Sequence, residues 1–187
     1  MRIKINHFFY LFLGLIGFKA TPAMAAQDIF MCIDGLEGET ADPRYPGCMD
    51  VLAWSWGASN SGSLHTGGGG GAGKANFQDI SLTKYLDKSS PDIMLHTANG
   101  KVYPKVEIFL HKPCVECKAD NPYYTLTTGE TLITSFSQGG SGGEDRTTEN
   151  VTLNFSKIQW CYTEQKQDGT PGTPICEGWD IELNQEL

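Results

Sequence analysis

The chain has 187 residues, 40% of them hydrophobic and 19% charged, with a formal net charge of −8. That supplies one domain with a buried core. An acidic chain with no basic stripe is a poor partner for nucleic acid and for anionic membrane surfaces, so both classes are excluded.

Residues 1–25 stand apart from the rest. Arg2 and Lys4 precede the apolar run Phe8 to Phe18, which ends toward Ala23-Met24-Ala25. A basic start, a short apolar stretch and a small-x-small site describe a secretory signal peptide cleaved after Ala25. The run is too short to span a bilayer comfortably, so no stable membrane association is expected after processing. The alternative is that translation starts at Met24 and the upstream residues are unused. Cleavage removes Arg2, Lys4 and Lys19 from the 14 basic residues and none of the 22 acidic ones, moving the charge from −8 to −11. All six cysteines lie in the remainder: Cys32, Cys48, Cys114, Cys117, Cys161 and Cys176. An even count behind an export signal reads as disulfides.

From residue 26 onward most of the pattern is β. Asp28 to Leu36 is apolar and β-branched enough for a first strand. Residues 39–48 carry Pro43, Pro46 and Gly47 and read as turns. Met49 to Asn60 predicts a second strand with Leu52, Trp54 and Trp56 on one face. Two tryptophans on one face are more often core or subunit interface than a ligand site. Residues 61–73, SGSLHTGGGGGAG, predict a flexible glycine-rich loop.

The stretch Lys74 to Gly100, KANFQDISLTKYLDKSSPDIMLHTANG, organises the chain. Phe77, Asp79 and Ser81 alternate with Gln78, Ile80 and Leu82, a period of two that predicts one long strand. Ser90 as N-cap, Pro91 in the first turn and Asp92 against the dipole predict a short helix. Ile93, Met94 and Leu95 supply its apolar side, and Gly100 its stop.

Further strands are predicted at Val102–Lys112, with Val102, Pro104, Val106, Ile108 and Leu110 in phase for part of the length, and at Tyr123–Ser137. Another runs from Val151 to Tyr162 with Val151, Leu153 and Phe155 inward, and a last one from Trp179 to Leu183. Residues 164–178 form a hairpin-like excursion. About seven strands, one helix and regular turn spacing favour a barrel or sandwich over a parallel α/β sheet.

Chemistry-bearing motifs are weak. Gly68-x4-Gly73-Lys74 spells most of a phosphate loop, but Ala75 replaces the magnesium-holding hydroxyl, and a strand follows where a helix is needed. Cys114-Val115-Glu116-Cys117 is a CxxC bracketed by prolines with no βαβ unit around it. It reads as a structural disulfide or simple thiols, with a thiol oxidoreductase or half a zinc site as lesser readings. Cys161 and Cys176 flank the 164–178 excursion, and Cys32 and Cys48 flank the first turn region; either pair would staple a loop, although spacing alone does not fix the pairing. His65, His96 and His111 lie at no metal-ligand spacing from one another. No catalytic signature is present, so no enzyme activity, cofactor or metal is expected.

Several strings resemble the haemolysin-coregulated protein (Hcp) family, the tube proteins of bacterial type VI secretion. They are Trp54-Ser55-Trp56-Gly57-Ala58-Ser59, Gly73-Lys74-Ala75-Asn76-Phe77-Gln78-Asp79-Ile80 and Lys84-Tyr85-Leu86-Asp87-Lys88-Ser89-Ser90-Pro91. SFSQGGSGG from Ser135, TENVTLNF from Thr148, Gln165 to Gly169 and Gly178-Trp179-Asp180 continue the resemblance in order across residues 28–183. It implies a β-barrel flanked by one helix, hexameric rings that stack into a hollow tube, and a lumen that shelters small effectors. The implied partners are sheath, spike and baseplate proteins. The 61–73 loop, with Leu64, His65 and Gly70, falls where the family has an extended loop that contacts subunits or rings. Two features depart from the family pattern: the signal-like segment and the six cysteines. They imply an alternative, an exported, disulfide-stabilised paralogue that serves as a periplasmic or secreted binding module.

Overall fold

The computed structural model describes residues 27–62, 71–112, 121–143 and 145–187. These residues form ten strands and one helix. In chain order they are β1 (Asp28–Ile33), β2 (Met49–Ser55), β3 (Ala58–Gly62), β4 (Ala72–Phe77), β5 (Ile80–Tyr85), α1 (Ser90–Asn99), β6 (Val102–His111), β7 (Tyr124–Gly139), β8 (Thr148–Tyr162), β9 (Ile175–Asp180) and β10 (Gln185–Glu186). The expected count of about seven is low because two predicted strands are each interrupted and a two-residue strand ends the chain.

The main sheet runs β10-β9-β8-β5-β2-β1-β6-β7, and a further β7–β8 pairing closes it. Six strands, β8-β5-β2-β1-β6-β7, therefore make a closed barrel, with β9 and β10 appended along β8. Every pairing is antiparallel. Closure leaves the six barrel strands without a free edge along their paired lengths, the geometric answer to exposed backbone donors and acceptors. The interior is filled by Met31, Met49, Val51, Ile80, Leu82, Ile108, Leu110, Leu126, Ile133, Val151, Leu153 and Ile158, all nearly or fully buried.

The predicted single strand beginning at Lys74 divides in two. Gln78 and Asp79 interrupt it, Gln78 N donating to Gly57 O at 2.9 Å. The Asp79 carboxylate accepts from Asn154 Nδ2 at 2.7 Å and Thr134 Oγ1 at 2.8 Å. Those bonds hold the bend against β7 and β8. The predicted strand Met49–Asn60 breaks at the same level, at Trp56-Gly57. β3 and β4 accordingly form a separate two-stranded ribbon beyond the barrel end. Within β5 the expected alternation holds, with Ile80, Leu82 and Lys84 buried.

Leu52 does not share a face with Trp54. The register of β2 on β5 shifts between Val51 and Ala53, so Val51 and Trp54 face inward while Leu52 remains 44% exposed. An extra residue on one strand changes the phase of everything after it. A second phase change is shared by three strands. Burial moves from Val106 to Tyr103 on β6, from Thr128 to Thr131 on β7 and from Ile158 to Phe155 on β8. These residues are register partners. Between them lie Pro104, which has no ladder donor, and Glu130, whose φ of 49° is left-handed. The bend replaces the expected burial of Val102 and Pro104 with that of Tyr103. On β8 the inward set Val151, Leu153 and Phe155 is as predicted.

Helix α1 begins one residue earlier than expected. Ser89 is the N-cap and makes no side-chain cap, while the Ser90 hydroxyl accepts from Asp87 N at 3.0 Å. Gly100 ends the helix at φ 69°, donating its N–H to His96 O. Only Ile93 of the expected apolar trio is buried; Met94 and Leu95 are 58% and 56% exposed. The last long strand is β9, and residues 181–184 turn rather than extend it.

Two disulfides join neighbours in the sheet. Cys32 on β1 bonds Cys48 just before β2, and Cys161 on β8 bonds its register partner Cys176 on β9. The sequence separations are 16 and 15 residues, loops whose closure is worth about 3 kcal/mol each in the chain-entropy model. Cys114 and Cys117 and the predicted signal segment lie outside the described residues.

Candidate functional site

One end of the barrel is closed by aromatic side chains. Trp54 ends the inward row of β2 and lies 6.0 Å, centroid to centroid, from Tyr124 at the start of β7. Trp56 lies 5.8 Å from Trp160 of β8 and 6.3 Å from Phe77 of β4, and Phe77 lies 6.4 Å from Trp179 of β9. The run Trp160–Trp56–Phe77–Trp179 thus crosses from the barrel wall to the root of the β3–β4 ribbon and on to the appended strand. All four rings are half-buried. The Trp56 indole N–H is buried without an acceptor. Burial also pushes the Tyr124 hydroxyl above its ordinary range. Trp54 and Trp56 were legible in the sequence. Phe77, Trp160 and Trp179 join them only through barrel closure.

The opposite end is organised by a buried charge. Lys84 Nζ lies 2.7 Å from Glu149 Oε1 and 2.9 Å from Asp87 Oδ1, and donates to Tyr85 O at 2.9 Å. The Lys84 and Glu149 side chains are fully buried, and the Asp87 side chain is 7% exposed. Lys84 and Glu149 are register partners across the β5–β8 seam. Asp87 Oδ1 also accepts from Ser89 N at 2.9 Å and from Ser89 Oγ. One ammonium therefore ties the barrel seam to the start of α1. Sequence reasoning missed it because Lys84 sits on the inward phase with Ile80 and Leu82, where an apolar residue is expected.

Beside this end, Tyr103 is fully buried and its hydroxyl bonds His96 Nδ1. Burial, with a smaller effect from the Asp92 carboxylate, pushes Tyr103 from its ordinary 10 up to about 12. The unfolded chain ionises Tyr103 near pH 10 and the native chain near 12. The resulting stabilisation is present in full below pH 10 and is lost as pH rises from 10 to 12. Urea unfolding of the protein and of Tyr103→Phe across that window should show the parent losing stability more steeply. Equal slopes would show that this phenol is not protected.

The remaining histidine among the described residues is also partnered. His111 Nε2 is 2.7 Å from Tyr45 Oη, and its Nδ1 is 3.3 Å from Arg44 Nη1. Tyr45 stacks between Phe30 and Phe109 at 4.7 and 4.6 Å. The Arg44 guanidinium holds the Asp42 carboxyl below the usual carboxylate range. These contacts use up the groups as structure. Among the described residues no three His, Cys, Asp or Glu side chains gather to hold a metal ion, and Gly73 and Lys74 lie in β4, as the reading without a nucleotide requires. Leu64, His65 and Gly70, named as contact candidates, lie outside the described residues.

Comparison with known proteins gives a consistent answer. The family model described as "Type VI secretion system effector, Hcp" matches residues 30–162. The chain is 50% identical over 160 residues to the Pseudomonas aeruginosa protein named "Protein hcp1", a match covering 85% of this chain and 98% of that one. A solved structure described as a type six secretion system protein superposes with a TM-score of 0.80 at 26% identity, covering 87% of this chain and all of the other. Hcp1 from Salmonella typhimurium superposes with a TM-score of 0.71 at 29% identity, again with 87% and full coverage.

Proposed function

Because this chain belongs to the Hcp family of type VI secretion proteins, we propose that it works as a ring-forming tube subunit and effector carrier. The observation that carries this reading is the extent of the relationship: half the residues are identical across 98% of the P. aeruginosa protein. The proposed assembly is a hexameric ring, stacked into a hollow tube with small effectors in the lumen. Sheath, spike and baseplate proteins are the proposed partners. The role is mechanical and needs no catalytic residue or cofactor. The proposed mature domain spans residues 26–187, with residues 1–25 as a leader. Subunit and ring contacts are assigned to Trp54, Trp56, Leu64, His65 and Gly70.

Native mass spectrometry of the purified chain tests the assembly, with a hexamer expected and only monomer at high concentration counting heavily against it. Trp56→Ala is expected to weaken assembly by about 2 kcal/mol, roughly thirtyfold, as for an aromatic at an interface hot spot. Because Trp56 also packs within its own subunit, a deletion within residues 63–70 is the companion variant. It should weaken assembly while leaving the stability of the dissociated subunit unchanged. Intact assembly in both variants would remove these residues from the contact.

The disulfides Cys32–Cys48 and Cys161–Cys176 favour a second reading, an exported paralogue working as a secreted or periplasmic binding module. Intact mass after blocking free thiols, on protein from fractionated cells, separates the two. A chain beginning at Ala26 with few blocked thiols supports the exported form. A chain beginning at Met24 or Ala25 with six blocked thiols supports the ordinary tube subunit.

A further inference from the structure

β8 has two different neighbours along one edge. Residues 148–153 pair with β5, whose ladder stops at Ile80↔Leu153, and residues 157–162 pair with β9. From Lys157 onward, among the described residues, that edge of β8 is paired with β9, an appended strand outside the barrel closure.

The two ends of β9 are held unequally. At the far end Asp180 is buried, lies 3.7 Å from Lys157 Nζ and accepts from Leu183 N at 2.8 Å. Gly178 is buried there too: a Cβ on it would come within 2.9 Å of Leu187 Cδ1. Trp179 stacks on Phe77. At the near end Ile175, Cys176 and Glu177 are all exposed, Ile175 by 68%. The excursion 163–174 that leads into it bonds largely to itself, through Gly172 N to Glu164 O, Lys166 N to Thr170 O and Gly169 N to Lys166 O. Its base is held by Thr163 N donating to Tyr123 O. The Cys161–Cys176 bond is the covalent tie between this end and the barrel.

We propose that the Cys161–Cys176 disulfide is a redox latch on residues 163–177, whose reduction uncovers the β8 edge at Trp160–Tyr162. Between the two disulfides among the described residues, accessibility makes the latch selective. Cys176 is exposed and Cys161 half-buried, whereas Cys48 is 7% exposed and Cys32 is half-buried within the sheet. Thiol–disulfide exchange follows access to the attacked sulfur. The reductant is a small or protein dithiol. Its thiolate attacks Cys176 Sγ, breaking the Sγ–Sγ bond, and Cys161 leaves as a thiolate that takes up a proton. The second thiol of the reductant then attacks the mixed disulfide and releases Cys176 as a thiol. Two electrons and two protons pass to the protein, and the dithiol becomes a disulfide. With the near end released, those N–H and C=O groups of Trp160–Tyr162 that face β9 become an open edge, while those facing β7 stay paired. A chain moving from an oxidising to a reducing compartment would then expose that edge without changing its barrel. The proposal stands on the geometry of one chain and is independent of how copies assemble.

Hydrogen exchange with mass spectrometry on the full chain tests it, with dithiothreitol as reductant and thiol alkylation to count which cysteines open. Of the four described cysteines, Cys161 and Cys176 should alkylate before Cys32 and Cys48. Exchange of amides 160–177 should then quicken by about a hundredfold, the entropic effect expected of opening such a loop, while β1, β5 and β6 stay protected. The double variant Cys161→Ser/Cys176→Ser should show the same local loss without reductant, and Cys32→Ser/Cys48→Ser should not. Reduction of the wild-type chain keeps the test valid if the variants fail to fold. Unchanged protection after opening this bond, prior reduction of Cys32–Cys48, resistance of both bonds, or loss of protection in every strand together would each overturn the latch.

Discussion

Replacing Lys84 with methionine is expected to lower the unfolding free energy by about 3–5 kcal/mol, among the largest single-site effects in this chain. The substitution leaves Glu149 charged at a site with no solvent contact, and one of its oxygens already lacks a partner. Asp87 suffers less, because Ser89 N and Oγ still donate to it. Removing both charges should behave differently. In Lys84→Met/Glu149→Leu no charge remains stranded across the β5–β8 seam, and most of the loss should be recovered. Urea titration gives the readout as a shifted midpoint with an unchanged slope. Because the pair is buried, added salt should barely alter the penalty. A cost for Lys84→Met below about 1 kcal/mol, the range of an exposed ion pair, would mean that water reaches the seam.

Ile93→Ala should cost about 2–5 kcal/mol through lost burial and the cavity left behind. Ile93 is fully buried in the same core as the barrel interior and is the one fully buried apolar side chain that α1 contributes. Two residues on, toward the opposite side of the helix, Leu95 is 56% exposed, so Leu95→Ala should fall within about 0.5 kcal/mol of the parent. The contrast is the test: the two substitutions remove similar volumes from one helix, and equal effects would show that the helix is not anchored through Ile93. Loss of that anchor should also loosen the His96–Tyr103 bond and lower the pH at which Tyr103 ionises.

The sequence makes plain whatever depends on an uninterrupted local pattern. Ile80 and Leu82 inward, Val151, Leu153 and Phe155 inward, and Gly100 as the helix stop are all seen. The departures occur where the period changes within a strand. The shift at Val51/Ala53 has no glycine or proline to announce it, so alternation alone puts Leu52 on the face of Trp54. At the β6–β7–β8 bend the left-handed residue is Glu130, not its neighbour Gly129, and the phase change follows from tertiary pairing. The Gln78-Asp79 break is a third case, since Asp79 alternates correctly yet is held out of the ladder by Thr134 and Asn154. Of the candidate contact residues, Trp54 and Trp56 were visible because tryptophan pairs are rare. Their neighbours Phe77, Trp160 and Trp179 come from three distant segments that no local pattern connects.

The shared bend at Pro104, Glu130 and Ser156 bears on the dimensions of the molecule. β7 has 16 residues and β8 has 15; laid straight, each would reach about 50 Å. A wall of that height around a six-strand barrel would leave one end as a tall, unsupported flange. By turning three strands together while keeping their register, the bend converts length into curvature. Both halves of each long strand then face the same interior, and the wall is shorter and thicker than its strand lengths suggest.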